Sequence, residues 1–172
     1  MRAIHIVGRK NHGKTTLVCE LLTEFSRRGL RVGSVKHCGH EHELDTPGTD
    51  SHHHRRAGAA RVLVVARNLT ALYSTRSADQ DPAPDIAVQF SDCDLVLIEG
   101  WINGPGPKVE VWRRGMGDAP LATTRTDIRA VVSDDAPLVT VPVWPRADIG
   151  VVARQLLTVA ESFPKGGGES PR

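Results

Sequence analysis

Apolar positions along this chain switch between two periods. Ala3-Ile4-His5-Ile6-Val7 is short and β-rich. Leu17, Val18, Leu21, Leu22 and Phe25 then recur at the spacing of one helix face, which predicts a helix over Lys14 to Arg28. Arg27 and Arg28 suit its negative C-terminal end, and Gly29 suits the position just past it. Leu30 to Lys36 reads as a second strand, so the chain opens as a βαβ unit and points to a parallel sheet. A polar loop runs from His37 to Gly48. Asp50 or Ser51 is the expected cap of a short helix running to about Ala59. Arg61 to Ala66 is a strand with Thr70 to Thr75 as a hairpin partner, followed by a loop from Ala78 to Pro84 and a helix from Asp85 to Phe90. Leu95-Val96-Leu97-Ile98 is an unbroken apolar run closed by Glu99-Gly100, as expected of a strand buried on both faces. After a Gly/Pro turn from Asn103 to Pro107 come strands over Val109 to Trp112, Ile128 to Val132 and Leu138 to Val143. A last helix starts at Asp148, with Val152, Leu156, Val159 and Phe163 on one face. The whole reads as one domain over residues 1–163, and residues 164–172 read as a disordered Gly-rich tail.

Composition narrows the function classes. The chain has 172 residues, 40% hydrophobic and 24% charged, a soluble globular balance. Its net charge of +2 gives no bulk electrostatic case for nucleic acid or membrane binding. The longest fully apolar run, Val62 to Ala66, is far short of the ~20 residues of a spanning helix. The cytoplasm is the expected compartment. Cys19, Cys38 and Cys93 are too scattered for a disulfide framework or a cysteine-only zinc site.

The first loop carries the strongest chemistry. Gly8-Arg9-Lys10-Asn11-His12-Gly13-Lys14-Thr15 fits G-x-x-x-x-G-K-[ST] at every fixed position, between a strand and a helix as that motif requires. Its glycines let several backbone N–H groups converge on phosphate oxygens, and the helix start adds its positive end. Lys14 is placed to reach the β- and γ-phosphates, Thr15 to bind Mg²⁺, and Thr16 to lie near the α-phosphate. Such a loop also needs a carboxylate near the metal. Glu99, at the end of the buried strand, supplies it, and Gly100 allows close approach of the chain.

Six of the eight histidines lie between His37 and His54. In this stretch Asp45 and Asp50 are candidate metal or water ligands, with Lys36 and the histidines as phosphate donors. The order K-H-x-x-H…D-x-P-G-x-D-S, then Ala57-Gly58-Ala59, together with N-x-G-K-T-T-L, L-I-E-G and Pro107-Lys108-Val109-Glu110-Val111, resembles the MobB family over about residues 3–145. The resemblance implies a three-layer α/β P-loop domain with a mainly parallel sheet, of the class of metal-insertion and signal-recognition GTPases. It implies GTP and Mg²⁺ as cofactors, slow hydrolysis, a homodimer, and partnership with a MobA-like guanylyltransferase that attaches GMP to molybdopterin. The family's phosphate-binding roles carry to Gly13, Lys14, Thr15 and Thr16, and Asn11 and His12 of the same loop are further nucleotide-binding candidates. Its second-loop roles carry to Lys36, His37, Asp45, Gly48, Asp50 and Ser51, and its acidic strand end to Glu99 and Gly100. Lys14, Asp45 and Glu99 are the candidate catalytic groups, and Thr15, Asp45, Asp50 and Glu99 the candidate Mg²⁺ ligands. The loop from His37 to Ser51 is expected to change order with nucleotide state. Thr49 and Ile102 stand where the family commonly carries lysine.

Other readings use other residues. His37, His40 and His42 with Cys38, Glu41 and Glu43 could bind nickel or zinc, as in a metal-delivery GTPase. No guanine-reading N-K-x-D occurs; Asp134, with Asp135 beside it, is a candidate reader or a turn residue. An ATP-dependent small-molecule kinase would need lid arginines, for which Arg113, Arg114 and Arg125 are available. Lys108, Arg113 and Arg114 near Trp112 could instead meet a pterin phosphate or the partner enzyme, or form a solvated strand face. A non-catalytic nucleotide-binding adaptor is the remaining class.

Overall fold

The computed structural model describes residues 1–77 and 79–164. Ala78, part of one expected loop, and the expected tail beyond Pro164 lie outside the described residues. The backbone groups into two compact units, Met1–Gly39 with Ala83–Arg172, and His40–Pro82.

The first unit holds a seven-stranded sheet. Its strands are β1 (Arg2–Val7), β2 (Val32–Lys36), β5 (Leu95–Glu99), β6 (Lys108–Val111), β7 (Ile128–Val132), β8 (Val143–Trp144) and β9 (Glu161–Ser162). The order is β2-β5-β1-β6-β7-β8, every neighbouring pair along it parallel. β9 pairs antiparallel with Arg2 and Ala3, just before β6 takes up its pairing with β1 at His5. β1 is therefore central, and its C-terminal end delivers the chain into the Gly8–Thr15 loop beside the end of β5. Helices cover both faces. On one face α1 (Lys14–Arg27) and α4 (Ile149–Val159) bury Leu17, Leu21, Phe25, Val152 and Leu156 against Ile4, Ile6, Leu95 and Leu97. On the other, α3 (Ala83–Gln89), Trp101 and Phe163 cover Ala3, Val96 and Ile98. The alternation of β1 and β5 between these two clusters is why both strands read as near-continuous apolar runs.

The second unit contains α2 (Asp50–Arg56) and the antiparallel hairpin β3 (Arg61–Val65) and β4 (Thr70–Ser74). Thr49, rather than the expected Asp50 or Ser51, caps α2, its side chain accepting from the His52 N–H, and Gly58 at φ +103° turns the chain before the expected end at Ala59. Among the described residues no helix is long and apolar enough to cross a membrane.

Several boundaries depart from the sequence reading. The expected strand over Leu138 to Val143 contracts to Val143–Trp144. Pro137 and Pro142 lack the N–H a ladder needs, and Leu138 is 94% exposed. Phe163 does not belong to the face of α4. The helix stops at Val159, Ala160 turns extended, and β9 carries Phe163 to the opposite face of the sheet. α3 starts at Ala83 rather than Asp85, with Pro84 in its first turn, where a missing N–H costs nothing.

Candidate functional site

Backbone geometry shapes the loop first. Gly8 has φ +140°, and a Cβ there would lie 2.5 Å from the Val111 carbonyl oxygen, so only glycine lets β1 leave the sheet so close to β6. Asn11 adopts φ 67°, and Gly13 is left-handed at φ 94° as the N-cap of α1. No side chain caps α1 and its first turn carries no acid, so the amides at its start keep their positive potential. Thr16 is exposed in that turn.

Charged side chains converge at the foot of the loop. Lys14 Nζ donates to the Arg9 carbonyl at 2.7 Å, folding back over the loop. Partial burial lowers its pKa, Glu99 opposes that shift and Lys36 adds to it. Thr15 Oγ1 donates to Glu99 Oε1 at 2.7 Å, and Lys36 Nζ lies 3.8 Å from the same oxygen. Glu99 is 8% exposed at the end of β5. Gly100 follows at φ +86°, its N–H bonded to the Ile6 carbonyl at 3.0 Å, and a Cβ there would come within 3.0 Å of the His37 carbonyl. The His37 N–H donates to the Glu99 carbonyl at 2.9 Å, and its ring stacks on Trp101, centroids 5.3 Å apart and 6° from parallel. β1, β2 and β5 thus bring Lys14, Thr15, Lys36, His37, Glu99 and Gly100 to one end of the sheet. A hydroxyl beside a largely buried carboxylate is an oxygen-rich donor set of the kind Mg²⁺ selects, and two lysines balance its charge.

Asp45 and Asp50 belong to the second unit. Asp45 is buried; its Oδ1 accepts from the Thr46 N–H at 2.9 Å and the Ser51 hydroxyl at 3.1 Å. Its Oδ2 is buried without a hydrogen-bond partner among the described residues. Asp50 is exposed in the first turn of α2. Glu43 pairs with Arg55 and accepts from the Asp45 N–H, which holds its carboxyl down at about 2.

Several side chains do something the sequence did not reveal. His12 is buried, and its Nδ1 accepts from the Arg113 N–H at 3.0 Å, tying the loop to the chain just past β6. The Arg113 guanidinium lies against the loop, 2.8 Å from where a Gly13 Cβ would stand. Lys108 is no solvated or anion-binding side chain. It is 2% exposed, and its ammonium is taken up by the Gly104 and Gly106 carbonyls and by Asp127 at 2.9 Å. Glu110 is equally buried, accepting from the Leu121 and Ala122 N–H groups at 2.7 and 2.9 Å, and burial raises its pKa. Of the arginines considered for a kinase lid, the Arg125 guanidinium is held by Asp127 and the Ile102 carbonyl, and that of Arg114 by the Ala136 carbonyl, while the Arg114 backbone N–H donates to Asp135. Among the described residues, no three His, Cys, Asp or Glu side chains gather as a metal cluster. Three consecutive histidines on α2 point around the helix rather than at one ion.

The MobB profile, described as "Molybdopterin guanine dinucleotide synthesis protein B", matches residues 3–134. The chain belongs to the MobB family. It is 34% identical over 133 residues to the molybdopterin-guanine dinucleotide biosynthesis adapter protein of Escherichia coli, covering 73% of this chain and 74% of that one. A probable adapter protein of the same name from Bacillus subtilis is 34% identical over 110 residues, 63% of each chain. Among solved structures, Bacillus subtilis MobB superposes with a TM-score of 0.72 at 26% identity, over 94% of this chain and 99% of that one. The MobB homologue from Bacillus stearothermophilus gives 0.66 at 27% identity, over 91% and 95%. The mainly parallel α/β fold described above is therefore the MobB fold, and the profile spans both the Gly8–Thr15 loop and Glu99.

Proposed function

We propose that this MobB-family chain binds GTP with Mg²⁺ on the Gly8–Thr16 loop and hydrolyses it slowly. In this reading it acts in the cytoplasm as a homodimeric adapter, serving a MobA-like guanylyltransferase that attaches GMP to molybdopterin. The observation that carries the nucleotide reading is the 2.7 Å contact between Thr15 and the largely buried Glu99, directly beneath Lys14 and the uncapped start of α1. The loop amides and the start of α1 bind phosphate oxygens as fixed dipoles that need no reorganisation. Lys14, at the start of α1, stabilises charge growing on the bridging and terminal oxygens. Thr15 and Glu99 would hold Mg²⁺; the hydroxyl keeps a lone pair free while its proton rests on Glu99. Bound there, the ion would neutralise phosphate charge. Glu99 also orients the Thr15 hydroxyl and accepts from it.

The homodimer reading draws on the hairpin. Leu63, Val65 and Leu72 on the two strands and Leu69 in the turn between them are 59%, 71%, 41% and 70% exposed, a concentration of large apolar side chains on one hairpin. Such a ribbon is marginal alone in water and gains from a second copy.

The test is single-turnover hydrolysis of GTP with excess protein, together with guanylyl transfer by a MobA-like enzyme with and without this chain. Slow Mg²⁺-dependent release of phosphate and a faster transfer support the proposal. A transfer rate indifferent to the chain, wild type or Lys14→Ala, would remove the adapter role.

A further inference from the structure

Position 12 is one of the free places in G-x-x-x-x-G-K-[ST], yet here it holds a polar ring that is 1% exposed. Its Nδ1 accepts from the Arg113 N–H at 3.0 Å, so that nitrogen carries no proton. Its Nε2 is buried without a hydrogen bond among the described residues and lies 3.8 Å from Asp118 Oδ2. The bond from His12 fixes the backbone of Arg113 on one side. On the other, the Arg114 N–H donates to Asp135 at 2.8 Å. The turn beyond is closed by the Trp112 indole N–H, which donates to the Asp118 carbonyl at 2.7 Å. The Asp118 carboxylate reaches back to the loop, 3.6 Å from Arg9 Nε. The chain just past β6 is thus strapped to the phosphate loop at His12 and Arg9.

The strap aims the Arg113 side chain. Its Nη2, Cζ and Nε lie 2.8, 3.2 and 3.5 Å from the point that a Gly13 Cβ would occupy, so the motif glycine is also the gap into which the guanidinium settles. That guanidinium makes no hydrogen bond or ion pair among the described residues, and the residue is exposed. Gly13 is the N-cap of α1, whose start has no side-chain cap and no acid in its first turn, and Lys14 follows it. An unpaired cation therefore rests on the positive end of a helix, beside a second cation. Against the helix end alone this placement is unfavourable; toward an anion on the loop it is favourable.

We propose that Arg113 is a further phosphate-binding residue of the nucleotide site and that His12 is the positioning residue that holds it there. The inference rests on the nucleotide reading above and adds a cation to it from outside the loop motif. A guanidinium offers two parallel N–H groups to two oxygens of one phosphate, which the ammonium of Lys14 cannot do. His12 acts through Arg113: buried behind the loop, it spends its acceptor on the backbone that carries the arginine.

The test is calorimetric titration with GTP and with inorganic tripolyphosphate, each with Mg²⁺, beside urea unfolding of the ligand-free proteins. Arg113→Gln should weaken both ligands alike by about tenfold or more. Arg113→Lys keeps the charge without the fork and should fall between that variant and wild type. Removing a like charge from the helix start should leave ligand-free Arg113→Gln at least as stable as wild type. His12→Asn keeps an acceptor where Nδ1 stands and should bind nearly as wild type does. His12→Leu removes it and should bind as poorly as Arg113→Gln, and combining the two should cost little more. Unchanged tripolyphosphate affinity in Arg113→Gln, a loss confined to GTP, or a loss that comes with lower ligand-free stability would each overturn the Arg113 assignment and leave the loop reading standing. His12→Asn as weak as His12→Leu would remove the positioning role. If wild type binds neither ligand, the nucleotide reading fails and this inference falls with it.

Discussion

Thr15 Oγ1 donates a 2.7 Å hydrogen bond to Glu99 Oε1 across 84 residues of sequence. The contact exists because β1 and β5 are neighbours in parallel register, Ile6 opposite Glu99, so the loop after one strand meets the last residue of the other. Thr15→Val removes the hydroxyl while keeping the shape. Its GTP affinity in Mg²⁺ should fall by about tenfold or more, against a much smaller change in excess chelator, because a hard-cation ligand has been lost rather than a phosphate contact. Titration with and without Mg²⁺ reads the difference; equal losses in both conditions would mean that Thr15 serves the phosphates or the fold instead.

Gly8→Ala should destabilise the chain even without nucleotide. The added methyl meets the Val111 carbonyl oxygen at 2.5 Å, and φ +140° disfavours any side chain. Either β6 or the loop must shift, at a cost of roughly 1–3 kcal/mol. Urea unfolding of the two proteins measures it. Gly29→Ala has open space around its Cβ and a φ of +79°, so it bears backbone strain without the clash and should cost less.

His5 makes stability depend on acid. It is 1% exposed in β1; its ring accepts no solvent proton easily, because burial, aided by Lys108, lowers its pKa to about 4. The unfolded imidazole protonates near 6.5. Between those values the unfolded chain holds more protons, so stability falls as the pH drops from about 6.5 to about 4. His5 Nε2 lies 2.7 Å from the Pro105 carbonyl. His5→Gln can keep a donor for that carbonyl but cannot titrate, so its unfolding midpoint should decline less than that of wild type across this window. Parallel curves for the two proteins would contradict the assignment.

Leu63 and Leu72 face each other across the β3–β4 ribbon and are both exposed. Placing glutamate at both sets like charges opposite one another on the proposed dimer surface. Light scattering should show a dimer for wild type and a monomer for Leu63→Glu/Leu72→Glu; a wild-type monomer would remove the homodimer reading.

Local patterns made much of the fold legible. The apolar stripe from Leu17 to Phe25 marks α1 within a residue of its observed end, and the run from Leu95 to Ile98 marks an interior strand of the sheet. The loop motif and the strand-end glutamate were readable because each is a short string with its own backbone requirement. What stayed hidden depends on long-range partners. Lys108 and Glu110 look like surface charges on a strand until Asp127 and the Leu121 and Ala122 amides fold against them. Phe163 follows Val159 at helical spacing, yet pairing of Glu161 and Ser162 with β1 ends the helix first. Arg113 gains its place beside Gly13 from the register of β6 against β1, which no spacing in the sequence encodes.

The central claim is that the Gly8–Thr16 loop, with Glu99 beneath it, holds the phosphates of GTP. Calorimetric titration of nucleotide-free protein with GTP and Mg²⁺, beside Lys14→Ala, tests it most directly. The account predicts saturable binding by wild type, preference for GTP over ATP, and a loss of about a hundredfold or more in the variant, as expected when charge-assisted hydrogen bonds to phosphate are removed. Equal affinity in wild type and Lys14→Ala would contradict it.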